Sequence, residues 1–442
     1  MDRFFLILGV IVIALAMVFT AFPEGAVALM TALVPSLAVI AIIRHYSDDK
    51  RYITNVFLLG LLLRLGFGIF VHIFDLRTFF GGDAITYDYK GYLLIQSWLG
   101  HIPTNDIEVR QAAAMSGPGW GMNYLVAALY AIVGRNIFAA QSFCAVIGAA
   151  TAPLVYFCST KIFKNKGVGR FASVAVAVFP AFVIWSGQLL KDGLIVFLLV
   201  LAITMVLQLQ ERLDYAAVAI LLISLAGILS LRFYIFYMVG VAVVGSFLIG
   251  TTNSAQSIAR RTAILIVLGL GLTYFGVTRT ATTDLNTYGN LEQLQRSRLD
   301  AAQSSKSGFA EDVDVSTTQG ALSAVPVGFI YLILAPFPWE VTSLRQSITL
   351  PEVLVWWAMI PVMVYGLWWS IRHKLRSAFP IIIFTLMLTL AYSIFQGNVG
   401  TAYRQRTQIQ VFLFMFVGVG WQLYREKKED KKQLRKKNRP FK

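Results

Sequence analysis

The sequence predicts an all-α, polytopic integral membrane protein, and three observations predict it. Of its 442 residues, 57% are hydrophobic and only 14% charged, with a mean hydropathy of +0.67, whereas soluble domains carry about 25% charged residues. Apolar runs recur along the whole length, many close to the roughly 20 helical residues that a hydrocarbon core of about 30 Å requires. Backbone polar groups find no water in lipid, so such runs form helices and not isolated strands.

Three spans open the chain, at residues 4–22, 25–43 and 52–74. The first follows Met1-Asp2-Arg3, is too long and too weakly cationic for a cleaved signal peptide, and is expected to remain as a helix. Arg44, Lys50 and Arg51 place the second loop, and with it the N-terminus, in the cytoplasm. Residues 75–118 are polar, aromatic and interrupted by Gly and Pro, which predicts an ordered outer loop. Residues 119–134 are short for a span. A crossing there would put Lys161, Lys164, Lys166 and Arg170 outside, so a surface or partly inserted helix is expected, with 137–157 running inward. Spans follow at 171–185, 194–207, 216–231, 234–250 and 264–277, with Arg260 and Arg261 inside.

Residues 278–320 are rich in Ser, Thr, Gln, Asp and Arg without apolar period, and predict a second, mobile outer loop with a short helix around 291–301. Residues 321–337, broken by Pro336 and Pro338, read as re-entrant; Arg372, Lys374 and Arg376 then lie inside, after a span at 354–370. Spans at 380–395 and 409–423 return the tail to the cytoplasm. The expected organisation is a transmembrane domain over 1–424 with about twelve crossings and two partial helices, then a basic tail over 425–442.

Nearly half of the net charge of +15 sits in that tail, where ten Lys or Arg face Glu426, Glu429 and Asp430. Beside a last span this is explained by the positive-inside bias and anionic headgroups, so membrane lipids are the expected partners and nucleic acid is not. Cys144 and Cys158 share one apolar segment and read as buried small hydrophobes. His45, His72, His101 and His373 are scattered, with no metal-site spacing. Ser186 lacks a nucleophile-elbow context. The chain has no Gly-rich phosphate loop and no sequence repeat, which argues against a nucleotide-driven pump.

Most polar features fall on the outer face in this topology. Asp83 follows Gly81 and Gly82, which let the backbone turn and hold a carboxylate off the helix wall. It reads either as a general base taking a proton from an acceptor hydroxyl or as a turn residue opening the helix 87–98. Asp88 lies in that helix's first turn, where a carboxylate favours the dipole. Arg404 and Arg406 lie just before the final span beside Asn398 and Thr401; guanidinium groups suit a lipid phosphate, the other reading being interfacial snorkelling or ordinary loop charges. Lys191 either pairs with Asp192 or stabilises a leaving phosphate. Tyr87, Asp88, Trp120, Trp339, Glu340, Asn398 and Tyr403 are candidates for lining a substrate groove. Arg64 is a charge inside the third span, with a functional or a structural reading.

The order of Gly82-Asp83-Ala84-Ile85-Thr86-Tyr87, Gly117-Pro118-Gly119-Trp120 and Val133-Gly134-Arg135-Asn136, followed by Phe179-Pro180 and Trp185-Ser186, resembles the GT-C glycosyltransferases over residues 62–207. These are polytopic enzymes that include protein mannosyltransferases and lipid A aminoarabinose transferases. The resemblance implies a sugar donor on a polyprenyl phosphate, an outward-facing site in a bacterial inner membrane, and Asp83 as the acceptor-activating base. Arg404, Arg406 and Lys191 would then hold the donor phosphate. The chain departs from the family in lacking a second acidic residue tightly paired with Asp83; Glu108 is the candidate, and a divalent cation stays open. Two rivals remain at this point. One is an O-antigen polymerase or ligase using lipid diphosphates, with Arg296 and Arg298 in the second loop. The other is a transporter, which would place broken or polar helices at the midplane.

Overall fold

The computed structural model describes residues 3–116, 119–249, 254–303, 307–310 and 312–437. Its helices run in chain order as α1 Arg3–Thr20, α2 Glu24–Tyr46, α3 Lys50–Ile73, α4 Asp83–Trp98, α5 Ile107–Ala113 and α6 Trp120–Val133. There follow α7 Ile137–Phe163, α8 Lys166–Val178, α9 Pro180–Ser186, α10 Lys191–Glu211, α11 Tyr215–Leu231 and α12 Phe233–Ile249. The last are α13 Ala255–Tyr274, α14 Val277–Tyr288, α15 Leu291–Gln303, α16 Thr318–Leu334, α17 Leu344–Phe395 and α18 Val399–Lys437. The chain is an all-α, multi-pass membrane protein. Among the described residues six helices are long and apolar enough to cross a bilayer, or seven if the bent pair α8–α9 is one span. Large side chains such as Phe19, Ile223, Leu248 and Leu270 stay exposed on the shorter or outer helices, as lipid-facing surfaces require.

Sequence periodicity misses one feature of the spans, and proline explains it. The run 171–185 is not one straight helix: α8 and α9 meet at 54°. Pro180 has no N–H and pushes Phe179 out of the helical region, to φ −66° and ψ 127°. The spans expected at 354–370 and 380–395 are the two arms of α17, separated by a kink where Lys374 leaves the helical region at φ −136° and ψ 22°. Residues 425–437 continue α18 without a break, and 438–442 lie outside the described residues. The second outer loop holds α15 as expected, but also α14, where no helix is expected.

The bundle has two chemically distinct ends. At one, Lys161 pairs with Glu211 at 2.8 Å, Arg170 with Asp49 at 2.7 Å, and Arg260 donates to the Gln210 carbonyl at 2.7 Å. At the other, the His72 ring stacks on Phe138, Asn136 donates to the Glu24 carbonyl, and Gln141 donates to the Gly68 carbonyl. Helix α6 starts beside Lys191 and ends beside Asn136, so both its termini meet this second end. Helix α16 also stays in that half, its last carbonyls accepting from Trp356 and Trp357 Nε1 at 2.9 Å.

Backbone contact at glycines sets the helix order around α18. A Cβ on Gly366 of α17 would stand 2.0 Å from the Phe416 carbonyl oxygen, and one on Gly420 would stand 2.1 Å from that of Val362. Backbone cannot yield as a side-chain end can, so Gly366→Ala is expected to cost about 1–3 kcal/mol through overpacking. A melting curve of the purified variant should shift downward accordingly; an unchanged melting temperature would mean that α17 and α18 separate without cost.

Two intramembrane arginines have structural partners. Arg64 is fully buried and donates to Ser186 Oγ at 2.7 Å and to the carbonyls of Gly60, Ala177 and Val176 at 2.9, 2.9 and 3.1 Å. The last two are carbonyls at the C-terminus of α8, stranded by the missing N–H of Pro180 and the bend at Phe179, so a cation there replaces helix hydrogen bonds. Arg406 repeats the device, donating to the Ile333 and Ala335 carbonyls, at 3.0 and 2.8 Å, where α16 ends before Pro336.

Candidate active site

Four helix ends converge at the second end of the bundle. The positive φ of 111° at Gly81 turns the chain into α4, whose N-cap is Gly82, and Asp83 occupies the first helical position without making a capping bond. Asp192 lies in the first turn of α10, and Arg232 follows the last residue of α11. Carboxylates thus sit at helix N-termini and a guanidinium at a C-terminus, each in the favourable field of its helix. Arg404 comes from the start of α18, beyond an N-terminus fixed by Asn398, whose Oδ1 accepts from the Gly400 and Thr401 amides at 2.7 and 3.2 Å.

Arg404 bridges the two acids. Its Nη1 donates to Asp83 Oδ2 at 2.9 Å, and its Nε donates to Asp192 Oδ2 at 2.5 Å. Asp192 is fully buried and also pairs with Arg232 at 3.4 Å. Arg232 reaches the Tyr392 hydroxyl at 3.5 Å, which in turn donates to Gln408 Oε1 at 2.5 Å. The guanidinium of Arg404 also lies 5.4 Å over the Trp185 ring. Asp83 differs from the rest: its side chain is 47% exposed, against 16% for Arg404 and 0% for Asp192. The chain of alternating charges therefore ends in one carboxylate that solvent or a ligand can reach.

Lys191 completes the cluster. It starts α10 beside Gly119, where a Cβ would stand 3.0 Å from Lys191 Nζ and 3.2 Å from the Tyr87 hydroxyl. Gly119 has φ 90°, so glycine is needed there both for the turn and for the approach of the lysine. Lys191, Arg232 and Arg404 against Asp83 and Asp192 leave one net positive charge, with capacity for an anion. The guanidinium of Arg404 lies between the two carboxylates where a shared cation would sit. Among the described residues no group of three or more His, Cys, Asp and Glu comes together.

A cavity of about 440 Å³ adjoins this cluster. Arg404, Tyr403, Asn398 and Trp185 line it from one side, Phe79, Phe80 and Gly81 from the loop before Asp83, and Thr342 to Gln346 from the start of α17. An apolar groove of about 730 Å³ runs between α8–α9 and α17–α18, lined by Phe171, Val174, Val178, Val355 and Met359. Glu352 borders that groove and accepts from the Tyr403 hydroxyl at 2.7 Å, so Tyr403 stands between groove and cavity.

Of the residues expected to form the site, Asp83, Tyr87, Lys191 and Arg404 come together, and Asn398 and Tyr403 line the cavity. Arg406 lies apart, wholly buried on the α16 carbonyls. Asp88 is buried, accepting from Tyr130 Oη at 2.5 Å and Arg135 Nη2 at 2.6 Å, and that hydrogen bond raises the Arg135 pKa. Trp339 is 73% exposed and stacks on Phe337, while Glu340 accepts from Tyr331. Trp120 packs edge-on against Tyr124 beside Gly119. Gly117 and Pro118 lie outside the described residues. The second carboxylate is Asp192 and not Glu108, which hydrogen-bonds Tyr89 on α4. Its position at a helix start among outer polar residues is a sequence signal; its partner is not, since the local alternative was Lys191.

The bundle with an acid–arginine–acid cluster at one end of its spans is, over part of its length, similar to a family of membrane glycosyltransferases. Residues 118–278 match the model of the dolichyl-phosphate-mannose-protein mannosyltransferase family. No curated protein matches the chain. The matched stretch contains Lys191, Asp192 and Arg232, while Asp83 and Arg404 lie on either side of it.

Proposed function

We propose that this protein is a glycosyltransferase that moves a sugar from a polyprenyl-phosphate-linked donor to a hydroxyl of a glycan, lipid or protein acceptor on the extracytoplasmic face. The observation that carries the reading is the exposed Asp83 carboxylate, oriented by Arg404, which lines the adjoining cavity and is held in turn by the buried Asp192. Asp83 takes the acceptor's proton as the acceptor oxygen bonds to C1 of the sugar. The C1–O bond to the phosphate breaks, its electron pair leaves with the lipid phosphate, and the anomeric configuration inverts. The cationic excess of Lys191, Arg232 and Arg404 counters the charge that builds on that phosphate. Attack and departure thus proceed at a carboxylate and a cation held by one network.

The apolar groove beside Glu352 supports a long isoprenoid chain, because it offers apolar wall along the spans while the phosphate remains at the polar end. The excess of Lys and Arg at the opposite end of the bundle supports an outward-facing site, with both termini cytoplasmic. The matched family's name makes mannose the first sugar to try. Purified protein in nanodiscs, given polyprenyl phosphate bearing radiolabelled mannose or another hexose and a pool of membrane acceptors, is expected to release polyprenyl phosphate and label an acceptor. No transfer with any donor and acceptor pool would overturn the reading.

A further inference from the structure

The cavity beside Arg404 has a second cation that the charge network does not use. Arg404 is engaged by Asp83 through Nη1 and by Asp192 through Nε, and Arg232 is held by Asp192 and Tyr392. A phosphate that met only those groups would have to compete with carboxylates already in place. Arg345, in the first turn of α17, also lines the cavity. Its guanidinium lies 5.3 Å over the ring of Phe79, four residues before Asp83, and it is exposed. Among the described residues no carboxylate lies within ion-pair distance of it. Around it the cavity wall is polar, with Thr342, Ser343 and Thr349.

We propose that Arg345 is a direct contact for the lipid phosphate, reaching it in the same cavity that Arg404 lines. The argument rests on the lipid-phosphate reading above and adds the residue that recognises the anion. A stacked, weakly hydrated guanidinium with free N–H edges suits bidentate recognition of a phosphate, and a flat aromatic support limits the rotamer entropy lost on binding. Arg404 in this arrangement orients Asp83, while Arg345 and Lys191 supply uncommitted positive charge. Its place over Phe79 also couples phosphate binding to the loop that presents Asp83.

The test measures binding, apart from turnover. Polyprenyl phosphate and the polyprenol of equal length are titrated against nanodisc-embedded protein, as wild type, Arg345→Ala and Arg345→Lys. Wild type should prefer the phosphate. Arg345→Ala should lose about tenfold of phosphate affinity, the order expected for one charge-assisted contact, without change for the polyprenol. Arg345→Lys should lie between, and all three proteins should melt alike because the side chain is exposed. Undiminished phosphate affinity in Arg345→Ala overturns the proposal, as does an equal loss for both lipids. A wild type that does not distinguish phosphate from alcohol overturns the lipid-phosphate reading itself, a separate failure from that of Arg345.

Discussion

Asp83→Asn is expected to abolish sugar transfer, by about 10²–10⁴-fold, while leaving protein level and melting temperature near those of wild type. The substitution keeps shape and a hydrogen-bond acceptor for Arg404 but removes the basic oxygen. Because Asp83 is half exposed and bonded through a single oxygen, its loss leaves no buried group stranded beyond one edge of Arg404. Expression in a null background, with surface glycans analysed by mass spectrometry, reads the outcome directly. Loss of one glycan or sugar at normal protein levels also identifies the acceptor. Unchanged glycans would remove Asp83 from the chemistry and return it to the role of a turn residue.

Asp192→Ala is expected to damage the fold as well as the activity. The wild-type carboxylate is wholly buried between Arg232 and Arg404, and its removal leaves two guanidinium groups without their shared counter-ion. Breaking a buried pair in this way costs about 3–5 kcal/mol, because the remaining charge stays desolvated and uncompensated. Reduced folded yield and a lower melting temperature in detergent should accompany inactivity. Adding Arg232→Gln to Asp192→Asn should recover part of the lost stability, since one unpaired charge goes with it, yet no activity. Were Asp192→Ala as stable as wild type, the arginines would have other partners and the network would not be what holds Arg404.

Most of the architecture was legible because hydropathy is a local property. The membrane class and the spans that became α1–α3, α7, α10–α13, the two arms of α17 and the apolar part of α18 follow from apolar runs and the positions of Lys and Arg. The breaks were harder. Pro180 signals the bend in α8–α9, but a run of apolar residues conceals how sharply a helix turns when the stranded carbonyls find Arg64. At α17 the charged stretch Arg372, Lys374 and Arg376 does mark the break, since the backbone leaves the helical region at Lys374 between the two expected spans.

At the site, the sequence by itself determined that Asp83, Lys191, Arg404 and their neighbours belong to polar segments at one end of the spans, and that a carboxylate following two glycines is held off the helix wall. The tertiary structure alone decided which of them meet. Asp83 and Arg404 are 321 positions apart and joined by one hydrogen bond, Asp192 replaces Glu108 as the second acid, and Arg406 turns away to the carbonyls of α16. Charge and hydropathy fix the depth of a residue in a bilayer, because that depends on its own transfer energy. Which helix faces which depends on close packing, such as Gly366 against the backbone of Phe416, and that is a property of pairs distant in the chain.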